Sequence, residues 1–144
     1  MSKFWNVAWM AFIAAITVVR SVNAAPIDFD TLRRSLVIIE TDAARGSGFV
    51  IKVNGKLYVM TNQHVVRAAE TIQMRLVDGA QLTPRSLEVA MEHDAARISF
   101  ESPDVALHAL AMASTLPTIG DPISIYGNSD GKGAVTALSG TILG

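Results

Sequence analysis

Thr61-Asn62-Gln63-His64-Val65-Val66 closes an apolar run on a histidine, and Asp94 stands 30 positions later, just ahead of another apolar run. Acyl transfer by a hydroxyl needs a base that works near neutral pH, and imidazole is the side chain whose unperturbed pKa lies there. Such a base has to be aimed. A carboxylate commonly does this by holding one ring nitrogen and stabilising the imidazolium that forms. His64 and Asp94 are therefore two thirds of a nucleophilic triad if the strands around them fold back together. Alone, each has a plainer reading, His64 as a satisfied core or surface residue and Asp94 as a turn residue. No convincing nucleophile accompanies them before Gly144.

The elements that must bring this pair together read as short strands. Leu36-Val37-Ile38-Ile39 is a compact β-rich run, and Gly46-Ser47-Gly48 opens Phe49-Val50-Ile51-Lys52-Val53. Asn54-Gly55 is a strong hairpin signal, because both central positions of a type I′ turn need positive φ. Lys56 to Thr61 is the return strand. Ile72, Met74 and Leu76 alternate with polar residues, as in a half-buried strand, and Asp78-Gly79 ends it. Gln81 to Met91 predicts a longer, less regular strand in which Pro84 demands an edge or a bulge. Ala95 to Phe100 completes six strands. Helical spacing is confined to Asn62–Glu70 and Val105–Ala113. This pattern predicts an all-β fold, an antiparallel six-stranded barrel over residues 30–102. Residues 103–119 read as a linker, and Gly120-Asp121-Pro122 opens a further hairpin over residues 120–144, the start of an incomplete second barrel.

The front of the chain is an address. Lys3 precedes an uncharged run from Phe4 to Val19, and Arg20 leads into Ser21-Val22-Asn23-Ala24-Ala25-Pro26. A basic start, an apolar core and small residues at the exit describe a secretory signal peptide over residues 1–24, with cleavage after Ala24. The alternative, an uncleaved anchor, has fewer apolar residues than the ~20 that span a bilayer comfortably. Contact with the membrane is accordingly expected only in transit, and the destination is periplasmic or extracellular. Loss of Lys3 and Arg20 moves the formal charge from −1 to −3. With no Lys/Arg cluster, that balance points to no nucleic-acid partner. Cysteine is absent from the 144 residues, so an exported chain must rely on packing rather than disulfides. Three scattered histidines without cysteine give no metal-ligand spacing, and no cofactor motif is present; Gly46-Ser47-Gly48 lacks the Lys-Ser/Thr of a phosphate loop. That glycine motif reads instead as a bulge where backbone approaches a cleft closely. Met74, Met91 and Met112 read as core fillers.

Together these segments resemble the trypsin-like serine peptidases, nearest the bacterial HtrA/Deg-type branch. Gly46-Ser47-Gly48-Phe49-Val50-Ile51 is similar to the strand opening the family's first hairpin. Val59-Met60-Thr61-Asn62-Gln63-His64-Val65-Val66 resembles the segment bearing its general base, and His93-Asp94-Ala95-Ala96-Arg97-Ile98 the segment bearing its orienting Asp. The resemblance runs from about residue 35 to the end. It implies a secreted serine endopeptidase acting on polypeptide, with His64 and Asp94 as catalytic residues in a cleft between two barrels. Gly127-Asn128-Ser129-Asp130-Gly131 superficially matches the family's nucleophile, but Ser129 is rejected. It lies only 35 positions beyond Asp94, and Asp130 stands where the family has a glycine that frees backbone N–H groups to form an oxyanion hole. His93 is expected on the opposite face of a strand, and His108 in the linker.

A chain with base and carboxylate but no nucleophile is expected to be inactive alone, a C-terminally truncated peptidase. An unpaired hairpin and an undocked barrel face also predict association or degradation of the mature fragment. Two alternatives stay open: a catalytically inactive secreted binding module with a protease-like fold, and an unrelated small β-barrel. DNA beyond codon 144 that continues into a Gly-Asn-Ser-Gly context would separate the first from a truncated peptidase.

Overall fold

A computed structural model describes residues 16–19, 28–101, 104–127 and 135–143. Its strands are β1 (Ile16–Val19), β2 (Leu36–Thr41), β3 (Arg45–Val53), β4 (Lys56–Thr61), β5 (Ile72–Leu76), β6 (Gln81–Leu82), β7 (Pro84–Val89), β8 (Ala96–Phe100), β9 (Pro122–Gly127) and β10 (Thr136–Thr141). Two short helices interrupt them, α1 (Phe29–Arg33) and α2 (Gln63–Val66).

Seven strands form one antiparallel sheet in the order β6-β5-β2-β3-β4-β8-β7. Its two outermost strands, β6 and β7, are neighbours in the chain, parted only by Thr83. The sheet therefore curls until its ends meet, a nearly closed barrel. The expected six-stranded barrel is recovered: the predicted irregular strand from Gln81 simply divides at Thr83. Pro84 starts the second half, and the pairing with β8 shifts register between Pro84 and Ser86. Proline cannot donate to a ladder, so the break falls where the missing N–H is tolerated.

The barrel closes over an aliphatic core. Val37 and Ile39 of β2, Val50 of β3, Val59 of β4, Met74 and Leu76 of β5, and Ile98 of β8 all lie within it. They obey the period-two alternation that sends one set of side chains inward. Asn54 (φ 50°) and Gly55 (φ 81°) make the tight β3–β4 turn, and pairing from Val53↔Lys56 to Gly48↔Thr61 follows without interruption.

Several expectations are corrected. Val105–Ala113 forms no helix. Leu107 and Ala109, two apart, pack on the barrel core, and the Leu110 N–H donates to the Val50 carbonyl at 2.8 Å. The stretch is thus an extended strap along β3. Met74 is buried, but Met91 (89% exposed) and Met112 (60%) are surface residues rather than core fillers. A short helix unforeseen in the pattern, α1, is capped by Asp28, whose carboxylate accepts from Asp30 N–H at 2.6 Å and Thr31 Oγ at 2.6 Å.

A smaller antiparallel sheet, β1-β9-β10, pairs the two strands of the expected second hairpin, β9 and β10. Residues 16–19, inside the segment read as a leader, lie along β9 with Ile16 opposite Tyr126 and Val19 opposite Ile123. β1 therefore takes the edge of β9 equivalent to the one that β5 takes on β2. No helix among the described residues is long and apolar enough to cross a membrane.

Candidate active site

Why two residues 30 apart meet is set by one strand pairing. β4 and β8 run antiparallel, with Thr61 opposite Ala96. His64 lies three residues beyond the first of these and Asp94 two residues before the second, so both emerge at the same end of the barrel. Thr61 is buried and fixes that end, its hydroxyl donating to the Ser47 carbonyl at 2.9 Å.

Beyond Thr61 the chain turns into α2. Val65 and Val66 are buried in the core and act as its anchor. Gly46 makes room for Val65. A Cβ there would stand 2.7 Å and 2.9 Å from the γ-carbons of Val65, and one at Gly48 would stand 2.5 Å from the Met60 carbonyl oxygen. The predicted bulge is absent, because Gly46 and Gly48 pair with Ile39 and Val37 in unbroken register. Close approach does demand glycine here, but to the Val65 side chain and the Met60 carbonyl rather than to a cleft. The segment between α2 and β5 is tied down by Asp42, which accepts from the N–H groups of Glu70 and Thr71 at 2.9 Å and 3.1 Å. These donors, chiefly Thr71, hold its carboxyl below the ordinary 3.8.

Asp94 sits in the bend between β7 and β8, closed by Ala90 N–H to the Ala95 carbonyl at 2.9 Å. Its Oδ1 accepts from the His64 backbone N–H at 2.8 Å, and its Oδ2 lies 2.6 Å from His64 Nδ1. Asn62 adds a third donor: its Nδ2 reaches Asp94 Oδ2 at 3.0 Å and the Asp94 carbonyl at 3.2 Å. Burial pushes the Asp94 carboxyl up, but the His64 backbone N–H, the imidazole and the Asn62 amide together outweigh it and bring it below 3.8. An ionised carboxylate can only accept, so in a neutral ring Nδ1 carries the proton and Nε2 presents a lone pair. That is the arrangement of a base ready to receive a proton from a hydroxyl.

The pair is open to water, with side chains 62% and 48% exposed for His64 and Asp94. Among the described residues, no hydroxyl is hydrogen-bonded to His64. His93 lies in the same bend as Asp94, exposed and not on a strand, and His108 is exposed in the strap. Ser129 lies outside the described residues. No group of three or more His, Asp or Glu that could hold a metal is found among those described. The end of β9 approaches this region, for a Cβ at Gly127 would meet Ser47 Oγ at 3.1 Å. His64 and Asp94 are the pair nominated by the sequence, which suggests no role for Asn62 or Asp42. The signal for Asn62 was its place two residues before His64.

A family model described as a trypsin-like peptidase domain matches residues 46–144. The serine protease Do-like HtrA of Bacillus subtilis (strain 168) is 32% identical over 92 residues, covering 58% of this chain and 20% of the relative. The periplasmic pH-dependent serine endoprotease DegQ of Escherichia coli (strain K12) is 31% identical over 97 residues, covering 67% and 21%. The chain thus spans about a fifth of the length of these curated relatives. Among solved structures, the serine endoprotease of Yersinia pestis superposes with a TM-score of 0.65 at 24% identity, covering 84% of this chain and 46% of the other. Rv3671c of Mycobacterium tuberculosis, in an inactive mutant form, gives 0.64 at 22% identity, covering 87% and 60%. At such identities the structural likeness speaks for the fold alone.

Proposed function

The chain belongs to the trypsin-like peptidase family, on its HtrA-type side, and from that premise we propose that it is the base-bearing part of an exported serine endopeptidase. In this reading His64 Nε2 takes the proton of a serine hydroxyl as that oxygen attacks a peptide carbonyl, then returns it to the leaving amine. Asp94 holds the Nδ1 proton and stabilises the imidazolium while it exists. The observation that carries the reading is the 2.6 Å contact between His64 Nδ1 and Asp94 Oδ2, backed by the 2.8 Å bond from the His64 N–H to the other oxygen.

The substrate is polypeptide, as the names of the endoprotease relatives suggest. Residues 1–24 serve as a leader, 30–102 as the first barrel, 103–119 as a linker and 120–144 as the opening hairpin of a second barrel. The periplasmic description of relatives such as DegQ supports an exported location. Catalysis is expected to require a nucleophile and oxyanion donors in addition to this pair. Loss of the nucleophile alone removes several orders of magnitude in rate.

The test pairs two polypeptides. The 144-residue chain should neither cleave casein nor take up a serine-directed fluorophosphonate. A polypeptide read from DNA continuing past codon 144 should do both and lose both on His64→Ala. Strong labelling of the short chain would refute its inactivity. An extended polypeptide that binds casein without cutting it would transfer the fold to the binding-module reading.

A further inference from the structure

We propose that Asn62 is a positioning residue for the His64–Asp94 pair, holding the carboxylate rather than capping the helix in which it stands. The inference rests on the dyad reading above and adds a third member to it. Asn62 occupies the N-cap of α2 in extended conformation (φ −78°, ψ 143°), yet its side chain makes no cap hydrogen bond. An N-cap asparagine ordinarily accepts, through its side-chain oxygen, the N–H of the second or third helical residue. Here that N–H belongs to His64, and Asp94 Oδ1 accepts it instead at 2.8 Å. The cap is thereby supplied by the carboxylate, from the bend that leads into the neighbouring strand β8.

The Asn62 amide, released from capping, is aimed the other way. Nδ2 donates to Asp94 Oδ2 at 3.0 Å and to the Asp94 carbonyl at 3.2 Å. Both partners are acceptors, so only the NH₂ end can face them, and the amide orientation follows from the chemistry. One side chain thus grips the carboxylate and its own backbone together. The carboxylate in turn grips the ring and the backbone of His64. Rotation of the Asp94 side chain about its χ angles would break one of these bonds whichever way it turned. In a site as exposed as this, where packing restrains the pair little, that cross-bracing is what keeps the Nδ1 partner in place. Gln63, the neighbouring amide, makes no side-chain hydrogen bond among the described residues, so it is a fair control.

The experiment follows the His64 ring C–H resonance of the full chain with pH, since that resonance registers ionisation of the carboxylate beside it. Wild type should show an acid inflection below 3.8, the ordinary value for Asp. Asn62→Leu removes the donor and should move the inflection upward. Asn62→Asp keeps a preferred N-cap residue, and so the fold, but sets a second carboxylate against Asp94; it should move the inflection further up, because like charges sharing a site resist ionising together. Gln63→Leu should leave it alone. An inflection unmoved in both Asn62 variants overturns the proposal. So does recovery of wild-type behaviour by Asn62→Asp after its loss in Asn62→Leu, which would make Asn62 an ordinary cap. Absence of any acid inflection in wild type removes the dyad itself, and this inference with it, a result distinct from either.

Discussion

Gly46→Ala links the barrel to the site more directly than any change in the site itself. The new methyl would sit 2.7 Å and 2.9 Å from the two γ-carbons of Val65, against the 3.5–4.0 Å at which carbon atoms rest comfortably. Gly46 is pinned by its pairing with Ile39, and Val65 is only 6% exposed, so the strain passes to α2. A retreat of about 1 Å relieves the contact. His64 precedes Val65 and moves with it, and a 2.6 Å bond to Asp94 lengthened by about 1 Å is no longer a hydrogen bond. Overpacking of this kind costs about 1–3 kcal/mol, and each kcal/mol lowers the melting temperature of a domain this size by roughly 4–8 °C. Melting by circular dichroism should show that loss, with a displaced His64 ring resonance. Val65→Ala removes the γ-carbons responsible, so the double variant should be more stable than the sum of the singles by ~0.5–3 kcal/mol. Gly46→Ala that melts within about 0.5 kcal/mol of the parent with His64 unmoved would show that Val65 does not couple this position to the site.

Other expectations follow from the same geometry. Ile98, fully buried between β4 and β7, should lose about 0.5–1.5 kcal/mol as valine and about 2–5 as alanine in urea melts. Asp94, with its carboxyl held below 3.8, contributes its stability in full above that value and loses it as pH falls through the lower, folded one. The melting-temperature gap between wild type and Asp94→Asn should therefore shrink on acidification below 3.8, and a gap that widens there would contradict the assignment. Arg97, only 17% exposed, pairs with Glu88 at 2.6 Å and lies 4.9 Å above the Tyr58 ring; Arg97→Ala should destabilise more than Glu88→Ala, because it loses the packed stem and the ring contact as well as the ion pair. Intact mass of exported protein should begin at Ala25, and retention of Met1 would overturn the leader reading.

Where local chemistry dictates local shape, the strands were legible. Asn54-Gly55 names its own turn, and the alternation at Ile72, Met74 and Leu76 puts the last two in the core. What escaped was set by distant partners. Val105–Ala113 has helical spacing, yet the edge of β3 offers a backbone partner at Val50 and draws the segment out extended. Met91 has the composition of a core residue but falls in the bend that carries Asp94, where the chain faces water. Of the site, His64 and Asp94 were legible as a pair, through the segments around them, although each alone has a plainer reading. Asn62 was not, since a polar residue before a helix normally signifies a cap, and only the position of Asp94 ahead of the neighbouring strand shows that the cap is already supplied. Why Gly46 and Gly48 are glycines also depends on what stands behind them, a valine side chain in one case and a carbonyl in the other.

Whether the His64 ring is held as a base is decided most directly by its tautomer, read from long-range proton–nitrogen correlations at a pH where the ring is neutral. The proton is expected on Nδ1, bonded to Asp94, with Nε2 bare, and a switch to the other tautomer is expected in Asp94→Asn. A wild-type ring protonated on Nε2, or one indistinguishable from that of Asp94→Asn, would contradict that expectation.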